Sequence, residues 1–292
     1  MVTRSGLFCP GDRPDRLTKA AAVGDAVIAD LEDAVAPQAK AGARTAVAAW
    51  LRERPDLAPR TWVRVNNDRH LEADLDAVTT LGIAGVVLPK AELAAVAEVT
   101  ARTEVPVFAL VETANGLQEL PELARHPAVT RLGLGEYDLA AELGTAAPSL
   151  TENTGPLAWA RAQVVVASAA AGLAPPPAAV SAELDDPTGF RADTLAQQRA
   201  GFFGRLCVHP AQVALTHEVL VPTTEEVTHA QDVLRALENA KNTGNTGNTG
   251  NTGNTGVAVV AGRMVDAAVV RRARRVLALA EAADQLIEED QQ

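Results

Sequence analysis

Short apolar runs alternate along this chain with longer Ala-rich stretches whose apolar positions recur at helical spacing. The runs cover residues 6–8, 26–29, 62–65, 85–88, 107–111, 132–134, 178–180 and 206–208. Most are rich in β-branched residues and bounded by Gly, Pro or Asp, the pattern of buried strands. Helices fit between them, for example over 13–23, 40–52 and 71–81. Eight such β/α units within about 220 residues predict an α/β fold, a closed (β/α)8 TIM barrel. An open doubly wound sheet would favour a glycine-rich phosphate loop after the first strand, and Cys9-Pro10-Gly11-Asp12 is not one. The seventh run is crowded by Pro175-Pro176-Pro177.

The pattern changes after residue 222. Residues 1–222 are read as the catalytic barrel and 223–292 as a C-terminal helical extension, a lid or oligomerisation element. The extension holds a helix over 225–241, Asn-Thr-Gly triplets over 242–256, a short apolar run and a final helix over 267–287. The triplets are polar, Gly-rich and low in complexity, so a flexible surface loop without assigned function is expected there.

Composition narrows the function class. A net charge of −11 argues against nucleic acid or an anionic membrane as the main partner. No apolar stretch reaches the roughly 20 residues that span a bilayer, and no signal peptide precedes the polar Gly11-Asp12-Arg13. Cys9 and Cys207 stand far apart without a CxxC motif and read as reduced thiols in a cytoplasmic protein.

The chemistry lies where apolar runs end. Asp30, Glu32 and Asp33 close the second run, Arg64 and Asn66 the third, Lys90 the fourth, Glu112 the fifth, Glu136 and Asp138 the sixth, and His209 the last. Polar residues directly after barrel strands lie at the C-terminal mouth, where active sites are built. Glu112 and Asp138 follow consecutive strands. Two carboxylates without a nearby His or Cys cluster suit Mg2+ or Mn2+ better than zinc; capping the helices that follow is the even alternative. Arg64 and Lys90 suit a substrate carboxylate or an enolate oxygen, or ion pairs to Glu32 and Asp33. At least one of the acids Asp30, Glu32 and Asp33 is expected to order a Lys or Arg. Arg13, Arg16 and Lys19 form a basic cluster for phosphates or a solvated helix face. His209 is an acid/base or a structural residue.

Several of these segments resemble one family. Residues 7–14 (Leu-Phe-Cys-Pro-Gly-Asp-Arg-Pro), 30–35, 63–66, 88–92, 110–113, 135–139, 207–210 and 262–266 (Gly-Arg-Met-Val-Asp) are similar, in order, to motifs of citrate lyase β-subunit-like proteins. Those proteins belong with the malyl-CoA lyases and HpcH/HpaI aldolases. The resemblance implies a TIM barrel assembled as a homotrimer or hexamer, with Mg2+ on Glu112 and Asp138. It implies that Arg64 meets the reacting oxygen, and that Phe8, Arg13 and Lys19 bind the CoA moiety. It makes Asp266 the acid/base, delivered by the extension, commonly to a neighbouring subunit. The implied reaction is retro-aldol cleavage of a 3-hydroxyacyl-CoA thioester into an acetyl-CoA-type product and a 2-keto acid. The other readings are a β subunit of a multi-subunit citrate lyase acting on an acyl-carrier-protein thioester, and an aldolase for free hydroxy-keto acids. The chain departs from the family pattern at Ala267-Ala268, where Pro is common, at Ala178, where Asp is usual, and in the triplet insert.

Overall fold

A computed structural model describes residues 3–150, 155–242, 258–260 and 263–289. Seven strands run parallel: β1 (Ser5–Pro10), β2 (Ala26–Asp30), β3 (Thr61–Arg64), β4 (Gly85–Leu88), β5 (Val107–Val111), β6 (Val129–Leu134) and β7 (Arg205–Cys207). They form one sheet in the order β6-β5-β4-β3-β2-β1-β7. Helices α1 (Pro14–Val23), α2 (Lys40–Glu53), α3 (Leu71–Val78) and α4 (Leu93–Thr100) fill the first connections. Helices α5 (Ala114–Gln118), α6 (Leu120–Arg125), α7 (Glu136–Leu143), α8 (Gly155–Ala171), α9 (Pro187–Arg199) and α10 (Pro210–Leu220) follow.

Side chains alternate between the two faces of each strand. One set, including Leu7, Val27, Val63, Val86, Val107 and Leu132, packs under the helices. The other set points the opposite way. Ile28, Val87, Phe108, Leu110 and Leu206 form one buried cluster, with Phe8, Trp62 and Val180 packed on it. Because β4 and β5 share that cluster with β7, at the far side of the sheet order, the sheet curls around it. Trp62 and Phe108 meet edge to face, with centroids 6.1 Å apart. Burying each such side chain contributes roughly 1.5–3 kcal/mol.

The expected strand over 178–180 does not form. Only Ala178 makes a parallel bridge, to Arg205. Three consecutive prolines before it lack the N–H groups a ladder needs. In their place the Arg131 guanidinium on β6 donates to the carbonyls of Pro175 and Phe203, at 3.3 and 2.8 Å. The described architecture is therefore a curled, seven-stranded parallel sheet with helices, a half-barrel.

The chain divides into two compact units. The first is Thr3–Leu220 and the second is built on Val221–Gln292. In the second, α11 (Thr224–Asn242) and α12 (Ala267–Glu289) flank an antiparallel pair, β8 (Ala258–Val260) and β9 (Arg263–Val265). Ala230, Val233, Val265, Val270 and Ala273 are its core. The triplet run beyond Asn242 lies outside the described residues. Among the described residues, no helix is long and apolar enough to cross a membrane.

Candidate active site

The inward face that carries Ile28, Trp62 and Phe108 continues, toward the C-terminal strand ends, to Asp30, Arg64 and Glu112. A cavity of about 430 Å3 opens there, and Phe8, Asp30, Asp33, Arg64, Glu112 and Asp138 are among its lining residues. The strand-end residues Asp30, Arg64 and Glu112 meet there because period-two alternation carries the apolar layer into a polar one.

Arg64 is held on several sides. Its Nε donates to Asp30 Oδ1 at 2.8 Å and its Nη2 to Asp30 Oδ2. Its Nη1 lies 3.1 Å from Glu32 Oε2, and its Cζ stands 5.0 Å over the Phe8 ring. Burial opposes its charge, but Asp30 and Glu32 more than offset that and hold its pKa above the ordinary value. A guanidinium has five N–H donors. Asp30 takes two of them, while Nη1 faces Glu32 Oε2 as an ion pair without a hydrogen bond. Lys90 Nζ pairs with Glu32 Oε1 at 2.9 Å. Glu32, itself pushed upward in pKa by burial against the pull of Arg64 and Lys90, therefore orders two cations, as expected for this acidic cluster.

Glu112 is 3% exposed and does not cap the following helix; the Thr113 side chain does that. Instead Glu112 Oε2 accepts the backbone N–H of Lys90 at 2.9 Å. Among the described residues Lys90 is the non-glycine residue with positive φ, at 47°, and Asn67 Nδ2 donates to its carbonyl. A left-handed backbone at a bulky residue is strained and persists where its surroundings fix it. Gly135 lets Glu112 come close, because a Cβ there would sit 2.3 Å from Glu112 Cγ. Burial pushes the Glu112 carboxyl up to about 7; the Lys90 N–H opposes this, while the charges of Glu32 and Asp138 add to it.

Asp138 lies in the first turn of α7 and is exposed. Two carboxylates facing one cavity, one of them resisting ionisation beside the other, suit a divalent cation. Among the described residues no group of three or more His, Cys, Asp or Glu is placed to hold a metal. A cation here would take the two carboxylates and complete its shell with water or ligand oxygens, as Mg2+ commonly does.

Other sequence candidates fall elsewhere. Arg13 and Lys19 are exposed on and before α1, outside the cavity lining, and Arg13 pairs with Asp15 at 3.1 Å. His209 is exposed and accepts the Ala211 N–H through Nδ1, the structural alternative for it. Asp266 belongs to the second unit. Its carboxylate accepts N–H groups of Val269 and Ala268 at the start of α12, and these hold its pKa below the ordinary range. Both cysteines are free and buried.

Sequence reasoning missed Arg161. Its Nε and Nη2 clasp the buried Glu136 carboxylate at 2.6 and 2.5 Å. A lone charge in the otherwise uncharged residues 155–171 was the available signal.

The chain is similar to several known proteins. Residues 4–210 match the family model described as HpcH/HpaI aldolase/citrate lyase. A citrate lyase subunit beta-like protein of Deinococcus radiodurans is 37% identical over 80% of this chain and 86% of its own length. A (3S)-malyl-CoA thioesterase of Cereibacter sphaeroides is 34% identical over 96% of this chain and 95% of its own. A crystal structure of CitE from Mycobacterium tuberculosis with magnesium, acetoacetate and coenzyme A superposes with a TM-score of 0.79. It is 31% identical, covering 96% of this chain and 98% of that one.

Proposed function

Because the chain belongs to the HpcH/HpaI aldolase/citrate lyase family, we propose that it is a magnesium-dependent carbon–carbon lyase. It would cleave a 3-hydroxyacyl-CoA thioester into an acetyl-CoA-type product and a 2-keto acid, or join them. The observation that carries this reading is the pair Glu112 and Asp138 facing Arg64 across one cavity. The magnesium, acetoacetate and coenzyme A held by the CitE relative support the ligand classes.

Glu112 and Asp138 would hold the metal, which would supply Lewis-acid polarisation of the keto acid's carboxylate and carbonyl oxygens. Arg64, fixed by Asp30 and Glu32, directs its remaining N–H groups at the enolate oxygen of the thioester. One such preorganised contact is worth roughly 3 kcal/mol in a dry site. The Phe8 ring under the guanidinium limits its tilt. Asp266 takes and returns the proton at the enolate carbon. Its low pKa in the exposed cap must rise for that task, through burial on closure. Phe8, Arg13 and Lys19 hold the CoA moiety. The reading includes closure of the curled sheet as a (β/α)8 barrel, assembly as a homotrimer or hexamer, and a cytoplasmic setting.

The malyl-CoA thioesterase similarity favours one second reading, hydrolysis of the thioester itself. One assay separates the two. Purified protein is given Mg2+ and a panel of malyl-type and citramalyl-type CoA thioesters. A lyase releases 2-keto acid and acyl-CoA in equal amounts, whereas a thioesterase releases free CoA thiol and no keto acid. Turnover surviving excess EDTA would overturn the metal-dependent reading.

A further inference from the structure

The first turn of α7 is the sequence Glu136-Tyr137-Asp138, and its side chains take separate partners. Glu136 is 3% exposed and is clasped in a fork by Arg161 from α8. The Tyr137 hydroxyl accepts the backbone N–H of Ala182 at 3.0 Å. Asp138 stays exposed at the cavity. The backbone that presents Asp138 is thus tied on one side to α8 and on another to the segment that brings Val180 to the same cavity.

We propose that Arg161 is a positioning residue for the divalent cation, acting through Glu136 to fix the turn that carries Asp138. The inference rests on the reading that Glu112 and Asp138 hold the metal. Arg161 lies on neither a strand end nor a cavity-facing loop; it is buried in the middle of α8, 7% exposed. Its planar fork matches the carboxylate at two points, which fixes orientation as well as distance. Metal ligands depend on such supporting contacts, and losing one typically weakens metal affinity about 10- to 100-fold. Asp138 depends on this support more than Glu112 does. Glu112 is buried and aimed by the Lys90 N–H, whereas the position of Asp138 follows from the turn alone.

The test is a double-mutant cycle read by Mn2+ affinity per folded chain, with thermal melting recorded alongside. Wild type, Arg161→Gln, Asp138→Asn and the double variant are titrated. Arg161→Gln should bind Mn2+ about 10- to 100-fold more weakly than wild type. In the Asp138→Asn background the same change should cost less than about threefold, because the ligand that Arg161 positions is already lost. Arg161→Lys should fall between wild type and Arg161→Gln. Should Arg161→Gln not fold, Glu136→Gln replaces it in the cycle with the same expected non-additivity. A lowered melting temperature with unchanged Mn2+ affinity, or equal losses in both backgrounds, overturns the positioning role. Wild type failing to bind Mn2+ sinks the underlying metal reading instead.

Discussion

Glu112 should make the metal-free protein lose stability as pH rises. Its ordinary pKa of 4.5 is raised to about 7 in the fold. A group raised in this way contributes fully below its unfolded value, and that contribution is lost as pH climbs through the folded value. The gap from 4.5 to about 7 is worth roughly 3 kcal/mol at about 1.4 kcal/mol per pH unit. For a domain of this size that corresponds to roughly 6–12 °C in melting temperature. Thermal unfolding of wild type and Glu112→Gln, followed by circular dichroism in EDTA between about pH 4.5 and 8, isolates the effect. The amide keeps an acceptor for the Lys90 N–H but does not ionise, and subtracting the two curves removes every other titrating group. The wild-type curve should fall relative to the Gln curve across this window. Millimolar Mg2+ should cancel the fall, because a cation favours the ionised carboxylate. Parallel curves in EDTA would refute the reasoning.

Three other perturbations probe different parts of the site. Gly135→Ala puts a Cβ 2.3 Å from Glu112 Cγ, so the carboxylate must move; metal affinity measured by calorimetry should fall at least about tenfold. Arg64→Lys cannot reproduce the fork to Asp30, and kcat should drop about 10²- to 10³-fold with metal affinity nearly unchanged. Asp266→Asn keeps the oxygen that caps α12, so the melting temperature should hold while kcat falls about 10²- to 10⁴-fold. A kcat within a few-fold of wild type would remove Asp266 from the chemistry.

Much of the frame was legible because parallel strands leave a plain signature. Apolar runs such as 85–88 and 107–111 became β4 and β5, and Glu112, directly after the second, reached the cavity. The run at 178–180 read as a strand from its residue types, yet strand formation depends on backbone donors that Pro175-Pro176-Pro177 do not have. The site was legible as far as strand ends go, at Asp30, Arg64, Glu112 and Asp138. Contacts that come from tertiary packing were not. The Arg161–Glu136 pair joins two helices, the left-handed turn at Lys90 occurs at a residue with no preference for it, and Gly135 matters only because Glu112 is folded against it. For Asp266, position in a motif suggested chemistry, while local structure shows a helix cap.

The most direct measurement is a Mn2+ titration followed by electron paramagnetic resonance. Wild type should bind one Mn2+ per chain, displaced by Mg2+. Glu112→Gln and Asp138→Asn should each weaken that binding at least about tenfold, and together abolish it. One tightly held Mn2+ per chain in the double variant would contradict the account.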